Sequence, residues 1–267
     1  MSERLPTLFI PHGGGPCFFM EPPASWPRDT WDGMAAYLRG LDASLGVRPK
    51  AVLVISGHWE AQRATVNAGE RPRLLFDYYG FPEHTYRLTY PAPGAPALAG
   101  RVRELLEGAG FDTEADADRG YDHGVFVPFK LIYPDADVPV VQLSLLEGLD
   151  PEAHLAMGRA LAPLRDEGVL IVGSGMSYHN LRQMFSDRGV EAAQAFDDWL
   201  AGAVADPELR AERLRHWAAA PGARDSHPRE EHLLPLMVAA GAAEGEPGVR
   251  NYSQPLFGKA VSGFQFG

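Results

Sequence analysis

The stretch that decides the fold is Ala51-Val-Leu-Val-Ile-Ser-Gly-His-Trp-Glu60. Residues 51–55 form a continuous apolar run rich in β-branched side chains, which predicts a strand buried on both faces. We expect Ser56-Gly57 to end this strand, so that His58 stands directly beyond it. Ligand sites of open α/β sheets lie in the crevice beyond the carboxyl ends of the strands. His58 is therefore a candidate functional residue if other strands bring matching groups to the same edge.

Two other apolar runs end in the same way. The run Leu5–Ile10 predicts a first strand, and His12 follows it in a glycine-rich turn. The run Val169–Gly175 predicts another strand, and His179 follows it after three further residues. Because the carboxyl ends of parallel strands meet at one edge of a sheet, we expect these histidines to converge there with His58.

The rest of the chain predicts a single α/β domain, residues 1–267, with a central mixed β-sheet flanked by helices. We expect strands or extended segments at Thr85–Tyr90, Phe111–Ala115, Val138–Leu145 and, as an edge strand, Val261–Phe266. Amphipathic patterns predict helices at Asp29–Leu45, Ala95–Gly108 and Pro151–Leu164, and residues 190–219 predict two more.

Composition excludes several classes of protein. The net charge of −11 and the lack of a basic stripe argue against a nucleic-acid binder. No apolar run approaches the roughly 20 residues of a membrane span, and Met1–Pro6 lacks the apolar core of a signal peptide. The single cysteine, Cys17, allows no intrachain disulfide. We therefore expect a cytoplasmic protein without a membrane partner, whose oligomeric state the sequence leaves open.

Histidines with other surroundings extend the candidate site. His123 lies between Asp122 and Gly124 before an apolar run, which predicts a loop or a helix start with Asp122 as its cap. His232 follows a carboxylate and precedes an apolar segment. His84, His154 and His216 lack these patterns, and we interpret them as surface or structural residues.

The segment around His232 contains several possible ligands. On a continuous helix, His227 and Glu231 would share one face, whereas His232 would lie about 140° from His227. Both histidines could not then easily bind one ion. Pro235 would kink or restart such a helix, so the arrangement stays open.

Clustered histidines with open coordination positions are typical of non-haem Fe(II) oxygenases and of catalytic zinc sites. The lone cysteine argues against a structural zinc site built from thiolates. One aromatic-rich segment could line a pocket for an aromatic substrate, or it could equally pack over the core. Its candidate side chains are Asp77, Tyr78, Tyr79, His84 and Tyr86.

Seven motifs carry a resemblance to a known family. They begin at Pro11, Ile55, Tyr79, Tyr90, Asp122, Gly173 and His227, and read PHGGGP, ISGHWE, YGFPE, YPAPG, DHGVFVP, GSGMSYHNL and HPREEH. In this order the chain resembles the DOPA-type extradiol dioxygenases, a family of the class III extradiol ring-cleavage superfamily. The similarity spans nearly the whole chain and implies an α/β domain with a metal at the carboxyl ends of the strands.

The resemblance also implies roles for individual residues. His12, His58 and His232 match metal-ligand positions, His179 matches a proposed base that is sometimes counted as a ligand, and His123 matches an acid or supporting position. Two departures stand out: His12 is followed by Gly-Gly-Gly-Pro where many members have Gly-Ser-Pro, and the wider superfamily uses glutamate as its third ligand. Whether His179, Glu231 or His227 also binds the metal is therefore open.

The implied activity is cleavage of a catechol, DOPA-like or related, with O2 to a muconate-semialdehyde-type product. The implied metal is Fe(II), with Zn(II) able to occupy the site of the isolated protein. Trp59, Tyr79 and Phe126 are candidate walls of the substrate pocket. Two alternatives remain: a zinc-dependent hydrolase on the same site and a non-catalytic, metal-binding member of the fold.

Overall fold

The computed structural model describes residues 4–267. Residues 1–3, which begin the segment assessed for a signal peptide, lie outside the described residues. The described chain forms eight strands: β1 Thr7–Pro11, β2 Ala51–Ala61, β3 Ala64–Asn67, β4 Thr113–Asp116, β5 Val140–Leu146, β6 Val169–Gly175, β7 Gly248–Leu256 and β8 Lys259–Phe266.

Eight α-helices also lie within residues 4–267: α1 Asp32–Leu45, α2 Pro96–Gly108, α3 His123–Ile132, α4 Pro151–Leu161, α5 Val190–Ala205, α6 Arg210–Arg215, α7 Ala223–Ser226 and α8 Leu234–Ala242. Short 3-10 helices occur at Cys17–Phe19, Glu83–Arg87, Ala162–Arg165 and Trp217–Ala219.

The strands form one mixed sheet in the order β4-β3-β5-β2-β6-β1-β8-β7. Strand β2 shows why the sheet is buried on both sides. Leu53 and Ile55 belong to the core shared with α2, α4, α5 and α8, whereas Val52 and Val54 face the core shared with α1 and α3. The prediction of an α/β domain with a mixed sheet flanked by helices is confirmed.

The middle of the sheet positions the candidate site. Strands β2, β6 and β1 are neighbours, and both pairs are parallel. Their carboxyl ends therefore meet at one edge, as the apolar runs predicted.

Strand β2 does not end at Ser56-Gly57 as predicted. It continues to Ala61 because Glu60 and Ala61 resume pairing with β5 after a register shift. His58 lies inside this irregular segment rather than beyond the strand. A bulge of this kind bends the strand and redirects its side chains, which is common beside functional sites.

Two other local predictions were wrong. The segment predicted as extended at Thr85–Tyr90 begins in the 3-10 helix Glu83–Arg87, because the amide and hydroxyl of Thr85 both donate to the Pro82 carbonyl. Strand β8 is not an edge strand, because it pairs with β1 on one side and β7 on the other. The predicted helix start is present, since α3 begins at His123 with Asp122 as its N-cap residue, although the Asp122 side chain makes no capping hydrogen bond.

Helices α4 and α8 pack so closely that Gly158→Ala is expected to destabilise the fold. A Cβ atom at Gly158 would lie 2.2 Å from the Val238 carbonyl oxygen. Overpacking of this kind costs about 1–3 kcal/mol. The measurement is urea unfolding, with Gly100→Ala as the matched control. Gly100 lies in α2 with nothing within 4 Å of its added Cβ, so that variant should gain about 0.5–1 kcal/mol. Equal stability of the two variants would contradict the close packing.

Candidate metal and substrate site

The candidate site lies at the edge where β1, β2 and β6 end together. His12 follows β1, and its amide donates to the Gly175 carbonyl at the end of β6 (3.2 Å). His232 arrives from the segment before α8, and its carbonyl accepts from the Met176 amide (3.0 Å). Gly175 permits this approach, since a Cβ there would lie 2.2 Å from the His232 carbonyl oxygen. The lack of a side chain at the end of β6 thus allows the His232 backbone to pack closely against it.

Three imidazole rings converge through the same ring atom. The Nε2 atom of His58 lies 3.2 Å from Nε2 of His12 and 3.2 Å from Nε2 of His232. Metal–nitrogen bonds of about 2.0–2.1 Å place two nitrogen ligands of one ion about 3 Å apart. The spacing of these nitrogens therefore fits a single metal ion.

The opposite ring nitrogens have oxygen partners that orient the rings. Nδ1 of His12 lies 3.0 Å from Ser174 Oγ. Because the Ser174 hydroxyl donates to the Gly124 carbonyl, it accepts the hydrogen bond from His12. Nδ1 of His232 donates to Glu231 Oε1 (2.9 Å). These bonds place the proton on Nδ1 and leave Nε2 of both rings with a free lone pair, the form that binds metals.

The ring environments favour neutral imidazoles. Burial, followed by repulsion from the neighbouring histidines, lowers the pKa of His12 and of His232 well below the ordinary value. Burial also lowers the pKa of His58, to about 3. Metal binding requires deprotonated ligands, so this cluster needs no costly deprotonation at neutral pH. Three Nε2 atoms that converge with spacings of about 3 Å fit a bound cation.

His179 lies directly against the cluster. Its ring stacks on that of His232 with centroids 3.4 Å apart, and its Nδ1 donates to Glu231 Oε1 (3.1 Å). Burial is the largest single influence on the Glu231 carboxyl group and opposes its ionisation, but the hydrogen bonds from His179 and from its own backbone amide, with the charges of His179 and Arg229, together lower its pKa. Glu231 thus orients two histidines at once. It contacts the Nδ1 side of His232, away from the atoms that converge.

His123 begins α3 and lies on the other side of the cluster, its ring centroid 3.9 Å from that of His58. Its Nδ1 and its backbone amide both donate to Asp77 Oδ1, at 2.8 and 2.9 Å. The second oxygen of Asp77 lies 3.7 Å from Nδ1 of His58. Asp77 therefore connects His123 to the converging histidines.

His227 does not join the cluster. It is fully buried, and its Nε2 donates to the Ser177 carbonyl (2.9 Å) between the rings of Phe196 and Trp217. The helical geometry considered for this segment does not apply, because α8 begins only at Leu234.

Other candidates have separate positions. His154 is buried and structural, with Nδ1 donating to the Asp150 carbonyl and Nε2 accepting from the Leu146 amide. His84 and His216 are exposed. These positions agree with their interpretation as surface or structural residues.

The cluster opens into a cavity of about 570 Å³. Asp77, Tyr78 and Tyr79 line it, whereas His84 and Tyr86 do not. Among the candidate walls, Trp59 packs beneath the Arg119 guanidinium and Phe126 lies in the core, so neither reaches the cavity.

Sequence reasoning missed the roles of Ser174 and Asp122 in supporting the site. Ser174 was visible only as part of a small-residue turn, and nothing in the sequence links it to His12. Asp122 accepts from Ser56 Oγ (2.8 Å) and from Gln142, and Ser56 Oγ in turn accepts from the His58 amide (3.2 Å). These bonds connect β2, β5 and the start of α3, so no local sequence pattern predicts them.

Ser174→Ala is expected to weaken metal binding about 10–100-fold, since partners that orient a ligating histidine have effects of this size. The measurement is competition with a chelator of known affinity. Ser144→Ala is the matched control, because Ser144 is also buried in the sheet but bonds to Thr65 and Arg63 instead. Equal metal affinity in the two variants would show that Ser174 does not position His12.

The fold and the site define a class of protein. Residues 6–264 match the family described as the catalytic LigB subunit of aromatic ring-opening dioxygenase. The chain belongs to this family, whose members are metal-dependent and act on small aromatic molecules with O2.

Individual relatives agree with this assignment. The chain is 46% identical over 199 residues to a 4,5-DOPA dioxygenase extradiol of Beta vulgaris, covering 73% of this chain and 74% of the relative. It is 37% identical to dioxygenase tasH of Hapsidospora irregularis, covering 98% and 85%. The crystal structure of protein JW3007 from Escherichia coli K12 superposes with a TM-score of 0.78 at 32% identity, covering 99% of this chain and 100% of that chain. The resemblance stated from the motifs is confirmed.

No helix within residues 4–267 has both the length and the apolar character needed to cross a membrane.

Proposed function

We propose that this protein is a non-haem, metal-dependent extradiol dioxygenase that cleaves a catechol with O2 to a muconate-semialdehyde-type product. The observation that carries the proposal is the convergence of three Nε2 atoms, from His12, His58 and His232, at the end of a cavity that also holds His123 and His179. This arrangement supplies a metal-binding face and two further proton-carrying groups beside it.

His12, His58 and His232 would hold the metal, which we propose to be Fe(II) in the active enzyme. Zn(II) prefers the same imidazole ligands and can occupy the site of the isolated protein. Bound Fe(II) supplies a Lewis-acidic centre that lowers the pKa of the catechol hydroxyls and holds catechol and O2 together.

His179 is proposed as the base that accepts a phenolic proton. Its Nδ1 proton is engaged by Glu231, so Nε2 is the atom left to receive a proton. Histidine is the side chain that most often serves as a general base in enzymes.

His123 is proposed to deliver a proton to the reacting oxygen at a later step. Asp77 accepts from its Nδ1 and fixes the ring, so Nε2 is the atom that would first take up a proton released by the catechol and then transfer it. Both atoms of O2 enter the product when the ring C–C bond next to one hydroxyl breaks, so no other oxidant is consumed.

We propose that residues 1–267 act as one catalytic domain. We also propose a cytoplasmic location, which the presence of only one cysteine supports.

Oxygen uptake tests the proposed function. Protein loaded anaerobically with Fe(II) is mixed with a catechol and air, and we expect one O2 to be consumed per catechol together with a new yellow absorbance. Loading with Zn(II) provides the control, because zinc has no redox chemistry. Esterase or amidase activity of the zinc form, without oxygen uptake by the iron form, would favour the hydrolase alternative. Metal binding without any turnover would favour the non-catalytic one.

A further inference from the structure

The cavity in front of the histidines is larger than a catechol ring requires. Its volume of about 570 Å³ lies within the range of about 300–1,000 Å³ found for sites that enclose drug-sized ligands. The histidines occupy one end. The remaining wall is largely apolar and includes Trp26, Trp31, Phe81, Met176, Met184 and Leu256. A ring held at the histidines would therefore project its substituent along apolar side chains.

The cavity offers little to a charged substituent. Among the described residues that line it, none is lysine or arginine, and Asp77 is the only carboxylate. Asp77 is already engaged by His123. DOPA carries an α-carboxylate and an ammonium group beside its catechol ring. Bringing such charges into an apolar site without partners is costly.

The rim of the cavity is apolar as well. Tyr79, Leu181 and Phe185 line the cavity and yet are 91%, 63% and 61% exposed. Phe185 also packs with Trp26 (ring centroids 5.2 Å) and Phe257 (5.0 Å), which extends the aromatic surface inward. Large exposed apolar side chains that border a cavity are typical of a surface that binds an apolar ligand.

We infer that this site selects catechols with an uncharged, apolar substituent over the amino-acid catechol DOPA. The inference rests on the proposed function and names the substrate class of that same site. The apolar wall would stabilise an alkyl or aryl substituent, and the lack of lining cations disfavours a carboxylate.

A substrate panel tests the selectivity. We compare kcat/KM of the Fe(II)-loaded protein for 4-propylcatechol, dopamine, 3-(3,4-dihydroxyphenyl)propionate and L-DOPA. We expect 4-propylcatechol to exceed L-DOPA about tenfold or more. Equal or higher kcat/KM for L-DOPA overturns the selectivity alone, whereas no turnover of any catechol overturns the proposed function and the selectivity with it.

Binding is measured separately from turnover. Trp26 and Trp31 line the cavity, so quenching of tryptophan fluorescence under anaerobic conditions reports occupancy. Tighter binding of 4-propylcatechol than of L-DOPA is expected, and the reverse order overturns the selectivity.

Leu181→Arg tests whether the missing cation is the cause. Leu181 is exposed at the rim, so the longer side chain can be accommodated without entering the core. We expect kcat/KM for 3-(3,4-dihydroxyphenyl)propionate to rise about fivefold, as a partly exposed ion pair allows, and to fall for 4-propylcatechol. Leu181→Gln is the matched control. It should lower kcat/KM for 4-propylcatechol without raising kcat/KM for 3-(3,4-dihydroxyphenyl)propionate. No gain for the carboxylate in Leu181→Arg, or an equal gain in Leu181→Gln, contradicts the charge argument.

Discussion

His58→Ala is expected to abolish both metal binding and catechol cleavage. His58 is central in the cluster, because its Nε2 lies 3.2 Å from that of His12 and from that of His232. Its removal leaves two nitrogens where three had converged. The decrease in metal affinity should be larger than the decrease of about 10–100-fold expected when an orienting partner is removed. Metal content after loading and dialysis, together with oxygen uptake, measures the effect.

His12→Ala should reproduce this loss, because its Nε2 belongs to the same group of ligand atoms. His216→Ala is the control: His216 is exposed and lies outside the cluster, so its variant should bind metal normally. Circular dichroism shows whether each variant is folded. Retention of one metal per chain in either His12→Ala or His58→Ala would place the metal elsewhere.

The sequence predicted the central strands well because their signals are local. A strand buried on both faces reads as an unbroken apolar run, as in Ala51–Ile55 and in Val169–Val172 before its closing Gly-Ser-Gly turn. Parallel neighbours then bring their carboxyl ends together, which placed His12 and His58 at one edge without any three-dimensional information.

The sequence could not predict features that depend on pairing. The continuation of β2 to Ala61 is determined by its partner β5, and the apolar run ends well before it. Strand β7 lies at the edge of the sheet, and its sequence is mostly exposed and polar. The sequence therefore predicted β8, and not β7, as the edge strand.

An ion pair near the site likewise depends on residues that are far apart in the sequence. Glu60 lies two residues after His58, and its position in the sequence indicates no partner. In the structure it accepts two hydrogen bonds from Arg229, at 2.6 and 2.5 Å. This ion pair connects the end of β2 to the segment that holds Glu231 and His232. Partners separated by 169 residues leave no local signal.

His179→Ala is expected to lower kcat about 10²–10⁴-fold, the usual contribution of a positioned acid or base, while the protein keeps its metal. The reason is geometric: His179 stacks on His232 and is held by Glu231, but its nitrogens do not belong to the His12–His58–His232 group. Metal content and single-turnover kinetics with a catechol measure the two effects separately.

Chemical rescue distinguishes a base from a structural residue in this variant. The cavity in front of His179 is open to small molecules, so added imidazole should restore part of kcat in His179→Ala. His84→Ala is the matched control, because that exposed ring bonds to the Phe19 carbonyl outside the cluster, and imidazole should not change its rate. Loss of metal from His179→Ala would instead identify His179 as a ligand. An unchanged kcat would exclude it as the base, and His123, held by Asp77, would then be the remaining candidate for proton transfer in this cavity.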